Sequence, residues 1–382
     1  MRMSMVSAAL VAALVGYGST ITLVLAAAAA VGATPAQTSS WVLAICLAKA
    51  VGSAGLSQWT RVPVVLAGST PGAALIAATT GVSMPQAVGA FVLAGGLVAL
   101  TGLVGPLGRA IAAIPDAIAA AMLAGVLLPF CLRGAAAVPA LPLLILPMLA
   151  VFLVVRLWNP ALAVLAALGA GIAGAFAIGP APLPALTLPA PSLTFIAPEF
   201  SAAVLIGLGL PLYLVTMASQ NLPGFATLRA AGYTPPVREG LLVTGGLSAV
   251  TALFGAHPIS MAAITAAICL GDDVHPDRAQ RWKVGLVYAA IWVALGLFSP
   301  AILTMIAALP QPLVVALVGL ALLGPLTGAL TQGFATADTR FAATMTLVVT
   351  GSGLAAYGIG AAFWGLLAGL AVHGMAKVKM SI

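Results

Sequence analysis

The chain has 382 residues, of which 62% are hydrophobic and only 5% charged, with a formal net charge of +7. Its mean hydropathy is +1.20, whereas soluble domains carry about 25% charged residues, so this composition excludes a water-covered globule and places the chain in a bilayer with many spans. The basic excess belongs to loops and reports orientation, and it implies no nucleic-acid partner.

The opening apolar run, Met5 to Val31, is far longer than a signal-peptide core of about 7–15 residues and reads as an uncleaved first span. Further apolar segments lie at 37–53, 85–105, 115–131, 139–157, 160–179, 200–222, 238–254, 284–299, 301–309 with 312–330, 340–357 and 360–376, which makes twelve spans. Two shorter segments contain a proline: "VPVVLAGSTPGAALIAATTG" (Val62 to Gly81) and "GAHPISMAAITAAICLG" (Gly255 to Gly271). Counting both gives fourteen. With a cytoplasmic N-terminus, Arg2, Lys49, Arg61, Arg109, Arg156, Arg229, Arg238, Arg278, Arg281, Lys283, Arg340, Lys377 and Lys379 then fall inside, and only Arg133 falls outside. That is the asymmetry expected of cytoplasmic loops, and dropping the two broken spans scatters it. Trp41, Trp59, Trp158 and Trp282 lie near span ends and read as interfacial belts. Asp116, just after Pro115, reads as first-turn charge on span 5.

The connection from Gly179 to Glu199 has no Lys or Arg and is proline-rich, so it is extended and outer. It divides the chain into 1–180 and 195–382. The halves resemble each other: Thr34-Pro35 and Thr234-Pro235 are offset by 200, and Pro71 matches Pro258 at an offset of 187. Seven spans is an odd number, so the second half enters the membrane inverted, a recurring plan of secondary transporters. Segments 3 and 10 then each form a short extended stretch followed by a half-helix with Pro71 or Pro258 at its first position. Two such N-termini meeting near the midplane make an anion site without arginine. Ordinary proline kinks are the alternative.

"GYGSTITLVLAAAAAVGATPAQTSSW", "AGSTPGAALIA", "MASQNLPGFATLRAAGYTPP" and "GAHPISMAAITAAICLGDDVHPDRAQRW" together resemble the BenE-type benzoate/proton symporters over essentially the whole chain. That family is similar in fold to nucleobase–cation symporters and sulfate permease-type transporters. The resemblance implies an all-α polytopic protein of fourteen segments in a seven-plus-seven inverted repeat. It also implies a core of spans 1–4 and 8–11 and a gate of spans 5–7 and 12–14. The implied partners are a small aromatic carboxylate, a proton and the lipid bilayer, with room for a homodimer. The implied location is a bacterial inner membrane with both termini cytoplasmic. Substrate would bind between spans 3 and 10, with help from spans 1 and 8.

Nucleobase symporters place carboxylates in spans 8 and 10, whereas this chain has Gln220 and Asn221 in span 8 and no acid at mid-membrane in the sequence pattern. An anionic substrate accounts for that, since a fixed carboxylate would repel it. The candidate substrate-binding residues are Tyr17, Thr20, Ser69, Thr70, Pro71, Gly72, Gln220, Asn221, His257, Pro258, Ile259 and Ser260. Ser19 accompanies Tyr17 and Thr20 on span 1. Each has a structural alternative: Ser69 and Thr70 as caps, and Gln220 and Asn221 as helix–helix glue. His257 is the only titratable group expected near the midplane. It either exchanges the coupled proton or hydrogen-bonds broken backbone. The loop "GDDVHPDRAQRW" reads as a solvated turn, or as a lock on the inner gate. Cys46, Cys131 and Cys269 follow no metal or redox spacing, and no cofactor is expected. Rival functions are a nucleobase or inorganic-anion permease on the same fold and an uncoupled anion channel. An enzyme is not indicated, because no nucleophile–base pair, metal cluster or phosphate loop is present in the sequence.

Overall fold

The computed structural model describes residues 2–106, 115–158, 162–177, 190–272, 274–354, 356, 357 and 359–380. The side chains of Ser19 and of 377–380 lie outside that set, as do Arg109 and most of the proline-rich connection. Helices α1 (Met3–Ala30) and α2 (Pro35–Thr60) open the chain. Thr34 starts α2 with a capping box: its hydroxyl accepts from Gln37 N, and Gln37 Oε1 accepts from Thr34 N at 2.9 Å. Pro35 at the first helical position has no N–H to orphan. Ser83 and Gln86 repeat the device ahead of α4 (Met84–Leu103).

Between α2 and α4 the chain breaks into strand β1 (Leu66–Gly68) and the half-helix α3 (Thr70–Ala77). Then come α5 (Asp116–Ala136), α6 (Pro142–Trp158), α7 (Ala163–Ala177), α8 (Ala202–Ala230) and α9 (Val237–Ala252). Asp116 opens α5 as expected. A second break gives strand β2 (Ile259–Met261) and half-helix α10 (Ile264–Leu270). The chain ends with α11 (Val284–Leu297), α12 (Ser299–Ala307), α13 (Gln311–Gly333), α14 (Arg340–Gly351) and α15 (Ala361–Met380). Among the described residues, six helices are long and apolar enough to cross a bilayer by themselves, or seven if the pair α11–α12, bent by 53°, is one span.

The two strands pair antiparallel, with Leu66 opposite Met261, Ala67 opposite Ser260 and Gly68 opposite Ile259. The expected strand-plus-half-helix shape of both broken segments is therefore present. One detail is corrected. Pro258 does not start a helix: it immediately precedes β2, and α10 begins only at Ile264. Pairing with β1 holds Ile259–Met261 extended, so the helical turn is postponed. Pro71 does lie in the first turn of α3, behind the cap Ser69.

Helices approach closely where glycines face each other. A Cβ on Gly245 of α9 would run into the backbone nitrogen of Ala99 on α4. No side-chain rotation relieves that, because the obstacle is backbone. Gly245→Ala is expected to cost roughly 1–3 kcal/mol, an overpacking penalty. Its neighbour Gly246 meets nothing within 4 Å, so Gly246→Ala serves as the control. Equal unfolding midpoints for the two variants would show that this contact is not tight.

Candidate functional site

The strand crossing places unpaired backbone groups deep in the molecule, where water cannot serve them, so side chains must. Ser57 Oγ accepts from Val64 N at 2.9 Å, Ser53 Oγ from Leu66 N at 3.0 Å and Ser248 Oγ from Ile259 N at 3.0 Å. Tyr288 donates its hydroxyl to Leu66 O at 2.9 Å. Asn221 Oδ1 accepts from Met261 N at 2.9 Å. Asn221 sits in a π-helical turn of α8, Met217–Asn221, which also holds half-buried Gln220. Single π-helical turns inside α-helices are frequent at functional sites.

Ser69 ties the two broken segments together. Its N–H donates to Pro258 O at 2.9 Å. Its hydroxyl oxygen accepts from Gly72 N at 3.2 Å and from Thr216 Oγ1 at 2.9 Å. Thr70 is half-buried at the first position of α3. Ser260 is buried in β2, and its hydroxyl has no partner among the described residues.

His257 is fully buried beside this crossing. Gly255 reaches it with φ of +91°, a conformation side chains disfavour. Trp41 Nε1 donates to His257 Nδ1 at 3.0 Å, with the rings 5.8 Å apart. An indole N–H can only donate, so Nδ1 is an unprotonated acceptor here. Nε2 lies against the β1 backbone at Gly68 without hydrogen-bond geometry. Trp41 is therefore a buried partner and not an interfacial residue, which corrects the belt reading for that position. Trp59 and Trp158 are exposed, and Trp282 stacks under Arg61 at 4.3 Å.

A second correction concerns Lys49. It is not in an inner loop. α2 continues to Thr60, so Lys49 stands near its midpoint, 2% exposed, with Nζ 3.7 Å from the centre of the Trp292 ring. No ion pair joins it to a carboxylate among the described residues. A cavity of about 10 Å³ adjoins it, lined by Tyr17, Thr20, Val42, Ile45, Cys46 and Trp292 among others. That is room for about one water-sized sphere. Thr20 turns its hydroxyl back to Gly16 O. The Tyr17 hydroxyl is buried and has no partner among the described residues. Ile45 forms the wall toward the crossing, since a Cβ on Gly68 would lie 2.8 Å from its Cδ1.

The loop after α10 is not a simple solvated turn. Arg281 is buried in it, donating to Leu270 O at 3.0 Å and His275 O at 2.7 Å and pairing with Asp272. It thereby caps the carboxyl end of α10. Among the described residues, no three His, Cys, Asp or Glu side chains gather as a metal site.

The family model for the benzoate membrane transport protein BenE matches residues 1–375. The chain belongs to the BenE family. Two relatives agree along nearly the whole length. The inner membrane protein YdcO of Escherichia coli is 42% identical over 95% of this chain and 93% of its own. The benzoate membrane transport protein of Acinetobacter baylyi is 33% identical over 96% of this chain and 93% of its own. Among solved structures, the transmembrane domain of the cyanobacterial bicarbonate transporter BicA matches with a TM-score of 0.61 at 15% identity, covering 97% of this chain and 98% of that one. SLC26A9 matches with a TM-score of 0.60 at 14% identity, covering 98% and 65%. This BenE-family member is thus a multi-pass, mostly helical membrane transporter with a BicA-like and SLC26-like fold.

Proposed function

We propose that this protein is a secondary transporter that imports benzoate, or a similar aromatic carboxylate, together with a proton. The observation that carries this reading is the BenE family match along residues 1–375. The interior chemistry supports an anionic substrate: no Asp or Glu is buried among the described residues, while Lys49 is. A benzoate anion entering alone against an inside-negative potential loses about 2.3 kcal/mol per 100 mV. Net uptake therefore needs a compensating positive charge, which a proton supplies.

We read the architecture as fourteen segments in two inverted sevens. β1 and β2 pair about Ala67 and Ser260, so Leu66 corresponds to Ile259, a register that matches Pro71 to Ile264 at the start of α10 and corrects its expected match to Pro258, and Ser53 supports the first strand as Ser248 supports the second. Helix packing follows the same exchange: α2 packs on α11 as α9 packs on α4, and α6 packs on α7 as α14 packs on α15. Segments α1–α4 with α8–α11 form the core, and α5–α7 with α12–α15 form the gate, which moves past it to alternate access. Both termini face the cytoplasm of a bacterial inner membrane, as the basic loops suggest. His257 is the proton carrier in this reading.

Radiolabelled benzoate uptake into proteoliposomes tests the function. Accumulation above equilibrium is expected with an inward proton gradient, and mere equilibration without one. Equilibration under both conditions would make the protein a channel. Competition by uracil, sulfate or bicarbonate stronger than by benzoate would assign another substrate.

A further inference from the structure

We infer that Lys49 and Tyr17 form the carboxylate-binding pair of the transport site, with Trp292 as the wall for the substrate's ring. This rests on the aromatic-carboxylate reading above and names the residues that recognise its charge. An ionisable side chain at membrane depth is costly and needs a partner. Lys49 has one side on the Trp292 ring and faces no carboxylate among the described residues. Cation–π attraction offsets part of the desolvation of an ammonium and leaves its donors unsatisfied. The Tyr17 hydroxyl, also buried and unpartnered, lines the same cavity, and its ring lies 6.0 Å from that of Trp292. A cation and a phenol donor beside apolar walls are what a carboxylate on an aromatic ring requires: charge and a hydrogen bond at one end, hydrocarbon at the other.

The location suits alternating access. Lys49 is on the core helix α2, and Tyr17 is on α1. α1 also packs on the gate helices α7 and α13. Leu165 of α7 presses on α1 so closely that a Cβ at Gly18, next to Tyr17, would clash with its side chain. At about 10 Å³ the cavity admits no ring in this arrangement, so α1, α2 and α11, which line it, must part for the substrate to enter. Lys49 stands about 12 Å along α2 from Trp41, at 1.5 Å per residue. About two helical turns of α2 thus separate Lys49 from Trp41, the partner of His257.

The test uses the full-length protein in nanodiscs, titrated with benzoate, its neutral isostere benzamide, bicarbonate, sulfate and uracil. The parent is expected to bind benzoate well above benzamide. Lys49→Met should weaken benzoate by roughly thirtyfold or more, the loss typical of a removed buried charge partner, and should no longer distinguish it from benzamide. Its unfolding midpoint should hold or rise, because apolar replacement of a buried charge is often stabilising. Lys49→Arg should keep the discrimination. Tyr17→Phe should cost roughly two- to tenfold. If Lys49→Met does not fold, Lys49→Gln carries the same comparison. A Met or Gln variant that still prefers benzoate as the parent does would overturn the assignment while leaving benzoate transport intact. A parent that binds another anion of the panel in place of benzoate, and loses it with Lys49, would keep the assignment and overturn the benzoate reading. A parent that binds none of the anions overturns both.

Discussion

Replacing His257 by glutamine is expected to abolish benzoate accumulation driven by a pH gradient, while benzoate binding and exchange stay near parental levels. The reason lies in the bond from Trp41 Nε1 to His257 Nδ1 at 3.0 Å. Only an unprotonated Nδ1 can accept it. An imidazolium carries N–H on both nitrogens, which would set two donors face to face. Protonation at Nδ1 and the Trp41 bond therefore exclude each other, and loading the proton must release His257 from α2. A glutamine carbonyl can accept from Trp41 in the same place, so the core stays satisfied, but it cannot titrate. Trp41→Phe tests the same link from the other side: His257 then protonates without breaking a bond, and proton leak without benzoate should rise. Counterflow and gradient-driven uptake in proteoliposomes measure both variants. A glutamine variant that concentrates benzoate like the parent would put the proton on another route.

The broken segments were legible because their signals are local. "VPVVLAG" is short and β-branched, "STP" caps and starts a helix, and "GAHP" interrupts an apolar run. The point where the second half-helix starts was not legible, because Ile259–Met261 is held extended by a strand far away in sequence. Lys49 was misplaced for a different reason. Hydropathy ends span 2 near residue 53, since "SAGLSQWT" is polar. Yet Ser53 and Ser57 face inward and bond the N–H groups of Leu66 and Val64. Polarity that serves broken backbone looks like polarity that serves water. Extending α2 through it moves Lys49 from an edge to the middle. Trp41 looks interfacial in the sequence because its partner, His257, lies 216 positions away. Tyr17 and Thr20, candidates on span 1, both line the cavity beside Lys49. The strand-side candidates Ser69 and Asn221 instead proved to be bonded to the crossing.

That last distinction leads to the largest stability effect we expect. Asn221→Leu should lower the unfolding midpoint and eliminate uptake, whereas Gln220→Leu should leave the midpoint nearly unchanged. Asn221 is fully buried, and its Oδ1 accepts from Met261 N at 2.9 Å. Leucine has the same branched side-chain skeleton but offers no acceptor. The Met261 N–H would be left unpaired where water cannot reach, a penalty of roughly 1–3 kcal/mol in a protein interior and more against hydrocarbon. β2 has three residues and β1 has three, so the crossing has few other bonds to spread that loss over. Without β2 held extended, Ser69 loses its acceptor at Pro258 as well. Gln220 is half-buried on the same π turn and makes no bond to the strand. If it touches substrate, Gln220→Leu lowers benzoate affinity at constant stability. Thermal unfolding, with hydrogen exchange at residues 259–261, separates the two effects. Equal midpoints and equal exchange protection in the two leucine variants would show that Asn221 does not support the strand.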